Sequence, residues 1–266
     1  MRRGNKLAIL MLLCLCAAGV CAETATVRGR VEVAQDVNQD ATQGANPQDG
    51  KTVKAKRAEA KSKHGIPATV VWLTPAPGSG VLLDPPKADE GGNLRLVQRN
   101  KTFEPRVLVV PAGSMVEFPN RDPFFHNVFS LFEGKRFDLG LYEAGTTRMV
   151  RFDRPGISYI FCNIHPEMSA VIITVATPLY AIANDEGQVS IAGVPYGRYL
   201  MHTWTEGMGP ENVKPMTREI TIADGATSLG VIRVSEVNGQ HMAHKNKYGR
   251  EYDEPTPDGS VYQEQR

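Results

Sequence analysis

The chain has 266 residues, 41% of them hydrophobic and 22% charged, and its 30 Lys and Arg against 29 Asp and Glu give a formal net charge of +1. A balance so close to neutral argues against nucleic acid or an anionic membrane surface as partner, since both call for a concentrated basic patch. The length is enough for one large or two small hydrophobic cores.

At the N-terminus, Arg2, Arg3 and Lys6 precede an apolar run over 7–20 that is too short for a comfortable membrane span. Val20-Cys21-Ala22 supplies small residues before a cut after Ala22, so residues 1–22 read as a signal peptide and the product as periplasmic or otherwise exported. Removing them takes away three basic residues and leaves 27 Lys and Arg against 29 Asp and Glu over 244 residues. No other stretch approaches the apolar length of a membrane helix. Cys14, Cys16 and Cys21 leave with the signal peptide, so the mature chain keeps one thiol, Cys162. In an oxidising compartment a lone thiol is a liability unless it is buried or metal-bound.

Beyond the cut, Val27, Val31 and Val33 alternate with Arg28, Arg30 and Glu32, the period of a half-buried strand. Residues 34–65 are polar and small and read as a flexible insertion. A dense apolar run over 68–73 stops at Thr74-Pro75. Further strands are expected over 93–98, 107–110, 114–118, 147–152, 158–161, 170–175, 188–191, 198–203, 218–222 and 230–234. Turn signals such as Asp153-Arg154-Pro155-Gly156 and Asp185-Glu186-Gly187 separate them at short intervals. Apart from a possible helical turn at 142–144, helix patterns are lacking, and the fold class is all-β. Residues 238–266 form a polar tail with Pro255, Pro257 and Gly259, expected to be mostly disordered or loosely draped.

One constellation carries chemistry. Cys162, His165 and Met168 stand in the stretch Cys-Asn-Ile-His-Pro-Glu-Met, and His126 lies upstream in Phe-Phe-His-Asn-Val-Phe. A thiolate and two imidazoles with a weak thioether make the donor set of a blue-copper electron-transfer centre. Zinc would recruit more cysteines or a carboxylate. A buried structural thiol does not account for His165 and Met168 at steps of three and for His126 upstream. Cys162 is expected at a strand end, His165 and Met168 in the turn that follows, and His126 on a separate loop. His64, His202, His241 and His244 read as structural or surface residues.

The residues around these ligands resemble the cupredoxin family, the blue-copper sandwiches of the plastocyanin and amicyanin type. The resemblance covers about a third of the chain. It is carried by Phe103-Glu104-Pro105, the run 107–113 ending in Pro111-Ala112-Gly113, Val116-Glu117-Phe118-Pro119-Asn120, His126-Asn127, Pro155-Gly156 and the Cys-x-x-His-x-x-Met spacing, which is most similar to amicyanin. It implies a cupredoxin Greek-key β-sandwich at 93–176 holding one type I copper on His126, Cys162, His165 and Met168. It also implies a brace from Asn127 toward Asn163, a loop stiffened by Pro166, and a redox-partner docking patch of Phe124, Phe125, Ile164 and Pro166. Phe118, Phe129 and Phe161 are expected to pack beneath the site. Ser158 departs from the family, which often has a tyrosine there.

The remaining strands resemble the carboxypeptidase regulatory-like, transthyretin-like sandwiches, through the run 185–199 with Val194-Pro195-Tyr196-Gly197 and the strands at 27–33 and 68–73. A second small β-sandwich is therefore expected, split into 25–75 and 178–235 around the first. It carries no catalytic motif.

The function expected is an exported one-electron carrier and not an enzyme. The resemblance implies a c-type cytochrome, a haem peroxidase or a dehydrogenase as partner. Two other classes stay open. One is copper storage or delivery, hinted at by His241-Met242-Ala243-His244, and the other is an envelope binding or structural sandwich with a relic metal site. A copper nitrite reductase or multicopper oxidase needs further histidines, often as His-x-His, which the sequence lacks.

Overall fold

A computed structural model of the chain describes residues 23–34, 65–131, 134–208, 215–235 and 244–252. The expected signal peptide at 1–22, nearly all of the expected insertion at 34–65, and His64 and His241 lie outside the described residues.

The described chain is all-β. In order the strands are β1 (Thr24–Ala34), β2 (Thr69–Pro75), β3 (Val97–Arg99), β4 (Thr102–Glu104), β5 (Val107–Pro111), β6 (Ser114–Pro119), β7 (His126–Ser130) and β8 (Phe137–Tyr142), then β9 (Thr147–Phe152), β10 (Gly156–Cys162), β11 (Ser169–Val175), β12 (Tyr180–Ile182), β13 (Gln188–Pro195), β14 (Gly197–Thr205), β15 (Met216–Ile222) and β16 (Ser228–Ser235). Among the described residues no helix is long and apolar enough to cross a membrane.

The strands stack as successive layers. An outer sheet, β13-β1-β16, faces the sheet β12-β2-β14-β15; the five-stranded sheet β5-β11-β10-β7-β8 comes next; the ribbons β6-β9 and β3-β4 close the other side. Bridges Arg95 to Glu117 and Gln98 to Asn120 tie the two ribbons together. The outer sandwich joins chain segments far apart in sequence, because β1 pairs antiparallel with β13 and parallel with β16.

Three cores fill the gaps. Val27 and Val31 of β1 pack with Val71, Leu73, Ile191, Tyr199 and Ile232 in the first. This is the burial that the valine alternation in β1 predicts, and each such side chain contributes roughly 1.5–3 kcal/mol. The turn before β13 requires glycine: Gly187 has φ +76°, and a Cβ there would lie 2.6 Å from the carbonyl oxygen of Val31.

The five-stranded sheet is covered on both faces, and β10 and β11 are accordingly apolar almost throughout. Successive side chains of a strand point to opposite faces. Ile160, Cys162, Ala170 and Ile172 therefore enter one core, with Phe118, Val128 and Met168. Tyr159, Phe161, Val171 and Ile173 enter another, with Phe129, Val70 and Trp204. This last core joins the two sandwiches. The sequence placed Phe118, Phe129 and Phe161 together beneath the ligands. Phe118 shares the core of Cys162, whereas Phe129 and Phe161 lie on the opposite face of the sheet, turned there by the two-residue period.

Candidate metal centre

Cys162 is the last residue of β10, His165 and Met168 occupy the turn before β11, and His126 is the first residue of β7. His126 thus rides on a strand and not on a loop; it pairs with Tyr142 of β8, while Val128 two residues on pairs with Cys162. Sheet register brings the two ligand segments side by side.

The donor atoms converge. Cys162 Sγ lies 3.6 Å from His126 Nδ1 and 3.4 Å from His165 Nδ1, and the two Nδ1 atoms are 3.2 Å apart. The point equidistant from all three is about 2.0 Å from each, the length of a metal–imidazole bond. All three residues are buried, and together they form a group that can hold a metal ion. Met168 is fully buried in the same core as Cys162. Its N–H donates to the carbonyl of His165 at 3.1 Å, and its own carbonyl accepts from the Cys162 N–H at 3.3 Å, which closes the ligand turn.

Burial decides the protonation states. It pushes the Cys162 thiol up, against the backbone N–H groups of Ile164, Asn127 and His165 that favour its thiolate. It pulls His126 down despite the carboxylate of Asp122, and takes His165 to about 4, with the neighbouring His126 adding to the shift. Both imidazoles are neutral at pH 7 and free to donate a lone pair. Metal binding must displace the thiol proton, so it weakens as pH falls.

Asp122 is a site residue that sequence reasoning missed. Its Oδ2 lies 2.9 Å from His126 Nε2 and also accepts the Lys101 N–H at 3.0 Å, while Oδ1 accepts the Asn100 N–H at 2.6 Å. An ionised carboxylate only accepts, so Nε2 carries the proton and Nδ1 is left for the metal. Burial opposes ionisation of Asp122, but the Lys101 and Asn100 N–H groups and the His126 ring outweigh it and hold the carboxyl below its usual range. Asn100 and Lys101, both with φ 54°, form the turn between β3 and β4, so Asp122 ties that hairpin to a ligand. The four-residue step from Asp122 to His126 was the only available signal. Asp122→Asn puts an amide N–H against groups that already donate. We expect metal affinity to fall 10–100-fold, read by competition with a chelator.

The expected link between Asn127 and Asn163 is present. The link to Asn163 is made by backbone, with the Asn163 N–H donating to the Asn127 carbonyl at 2.9 Å. The Asn127 side chain turns instead to Asp138 Oδ1 at 2.7 Å. Of the expected docking residues, Pro166 is exposed, Phe125 is 42% exposed, and Ile164 and Phe124 are half-buried. The Phe124 ring lies 5.3 Å from His126 and 5.5 Å from His165, centroid to centroid, and shields both. The tail is not loose where it is described: residues 244–252 lie against the site, and the His244 ring stacks on Phe161.

No family model matches the chain, and no curated protein sequence does. Among solved structures, the chain is similar to a Cu-containing nitrite reductase from Thermus scotoductus, with 27% identity over 34% of this chain and a TM-score of 0.31. The matched part spans 24% of that reductase. It is also similar to a purple cupredoxin from Nitrosopumilus maritimus, with 20% identity over 31% of this chain and 100% of that one, TM-score 0.29. A mutant of amicyanin in the Cu(I) state shares 17% identity over 35% of this chain and 97% of its own, with a TM-score of 0.30.

Proposed function

We propose that this chain is an exported copper protein that carries single electrons between redox partners, with one copper that His126, Cys162 and His165 would hold and to which Met168 would add a weak thioether donor. The observation that carries the reading is the convergence of one sulfur and two Nδ1 atoms within 4.8 Å of one another, buried at the end of a sandwich. Bound there, copper supplies a one-electron couple between Cu(I) and Cu(II), and the donor set of one thiolate and two imidazoles suits it better than zinc.

The chain's own residues account for the rest. Backbone pairing in β7 and β10 and the Met168–His165 turn hold the donors in place, Asp122 fixes one tautomer, and Phe124 covers both rings. A site so built keeps nearly one geometry through both oxidation states. Phe125, Pro166 and the half-buried Phe124 and Ile164 supply an apolar edge beside His165 for a transient partner, such as a c-type cytochrome, a haem peroxidase or a dehydrogenase. Export rests on the signal-like segment 1–22 with its cut after Ala22.

Titrating Cu(II) into the protein lacking residues 1–22 is expected to give an intense visible thiolate-to-copper absorption that saturates at one equivalent. Copper uptake without that absorption, or ready release to an apo acceptor, makes delivery the better reading. Met168→Gln exchanges a soft thioether for a harder amide oxygen, so the reduction potential should fall while copper stays bound.

A further inference from the structure

Residues 244–252 meet the metal centre at four points. The Tyr252 hydroxyl donates to the carbonyl oxygen of Cys162 at 2.8 Å. The backbone N–H of Lys247 donates to Asn163 Oδ1 at 2.9 Å. Lys247 Nζ donates to Asp138 Oδ2 at 2.8 Å, and the other oxygen of that carboxylate accepts from Asn127. The His244 ring lies on Phe161, with centroids 4.0 Å apart and planes 24° from parallel. Each of these four residues is a ligand, a direct chain neighbour of one, or, in Asp138, the partner of Asn127; the His244 ring also meets Phe129, with centroids 6.4 Å apart.

The segment is also shaped from within. The Asn246 N–H donates to the Arg250 carbonyl at 2.8 Å, and Asn246 Oδ1 accepts the N–H groups of Tyr248 and Arg250 at 3.0 and 3.1 Å. A turn already closed on itself gives up little further freedom when it docks. His244 Nδ1 lies 3.2 Å from the Tyr252 hydroxyl. The same Nδ1 lies 3.1 Å from the Lys245 carbonyl, which only accepts, so Nδ1 carries a proton shared between that carbonyl and the hydroxyl oxygen, and the Tyr252 proton is left for Cys162.

We infer that residues 244–252 are a clamp of the metal centre, in which Tyr252 and His244 are positioning residues that hold the Cys162 carbonyl and raise the reduction potential of the metal bound beside it. The positive end of a donor aimed at the cysteine favours the more electron-rich, reduced state, and hydrogen bonding around a ligating cysteine tunes such centres. The potential rests on the copper reading given above, whereas the clamp does not.

Tyr252→Phe in the full chain keeps the ring against His244 and deletes the hydroxyl alone. In the copper-loaded protein we expect a lower reduction potential and a displaced visible band, with copper still bound at one equivalent. In the metal-free protein we expect Cys162 to react with iodoacetamide roughly fivefold faster, the factor that one intramolecular hydrogen bond is worth. His244→Ala should move both readouts in the same directions, and Tyr248→Phe, at the exposed tip of the turn, should move neither. Unchanged potential and unchanged labelling in Tyr252→Phe overturn the inference. Faster labelling with an unmoved potential keeps the clamp and overturns the tuning. If the wild-type chain shows no thiolate-to-copper band, the copper reading fails, and the labelling rate still decides the clamp.

Discussion

Cys162→Ser is expected to abolish the thiolate-to-copper absorption of the proposed site and to weaken copper binding by more than about 100-fold, beyond what the loss of an orienting partner costs. The sulfur is fully buried, sits within 3.6 Å of both Nδ1 atoms, and receives backbone N–H groups from Ile164, Asn127 and His165. An alcohol at that position is neither soft nor readily ionised, so the two imidazoles are left with no anionic donor. The fold should survive. A serine hydroxyl in the same place faces polar groups that can pair with it, and the stability of the metal-free protein is expected to stay within about 1 kcal/mol of wild type. Visible spectroscopy during a copper titration and chemical denaturation of the apo-protein check the two halves. A Ser variant that keeps the band would remove the thiolate from the site.

Trp204→Ala is expected to be the most destabilising single change in the described chain, costing about 3–5 kcal/mol of a total that for natural domains is about 5–15 kcal/mol. The indole is 1% exposed and lies in the core between the two sandwiches. Its Nε1–H donates to the Tyr159 hydroxyl at 3.4 Å, and that hydroxyl in turn donates to the Met208 carbonyl at 2.8 Å. Truncation opens a cavity that two hydrogen-bonded sheets cannot easily close. Because Trp204 faces away from the core that holds Cys162, the copper band should persist at temperatures where the variant is still folded. Denaturation curves with and without copper separate these effects, and a loss below about 1 kcal/mol would mean that the layers do not depend on this residue.

Much of this was legible in the sequence, and the reasons differ by element. The valines of β1 announced their strand because only one face is buried, so alternation survives in the residue pattern. The run over β11 was equally plain as a strand, but its reason was hidden, since a segment apolar on both faces does not say what covers the second. The expected strand at 93–98 meets β3 only over its last two residues, and the chain then folds back at Asn100 and Lys101, both at φ 54°, into β4, which was not expected. β4, β7, β8 and β12 went unseen as strands; β7 is buried at all five positions and carries two polar ligand-side residues, His126 and Asn127, which break any simple pattern.

The group of His126, Cys162 and His165 was legible because its residue types are chemically rare and two of them are close in sequence. Asp122 was not, as a lone aspartate four residues from a histidine looks like any turn residue. Tyr252 and His244 were less visible still. Tyr252 reaches Cys162 across 90 residues of chain and His244 reaches Phe161 across 83, in a stretch whose polar composition argued for solvent.

The pairing of β1 with β16 has a consequence for biosynthesis. Thr24–Ala34 leaves the ribosome with an exposed edge and an unfilled valine face, and its parallel neighbour Ser228–Ser235 follows only about 190 residues later. The sandwich that carries Cys162 is contiguous and can condense in the meantime, whereas the outer one must wait for its last strand, which makes its closure the slow, long-range event of folding.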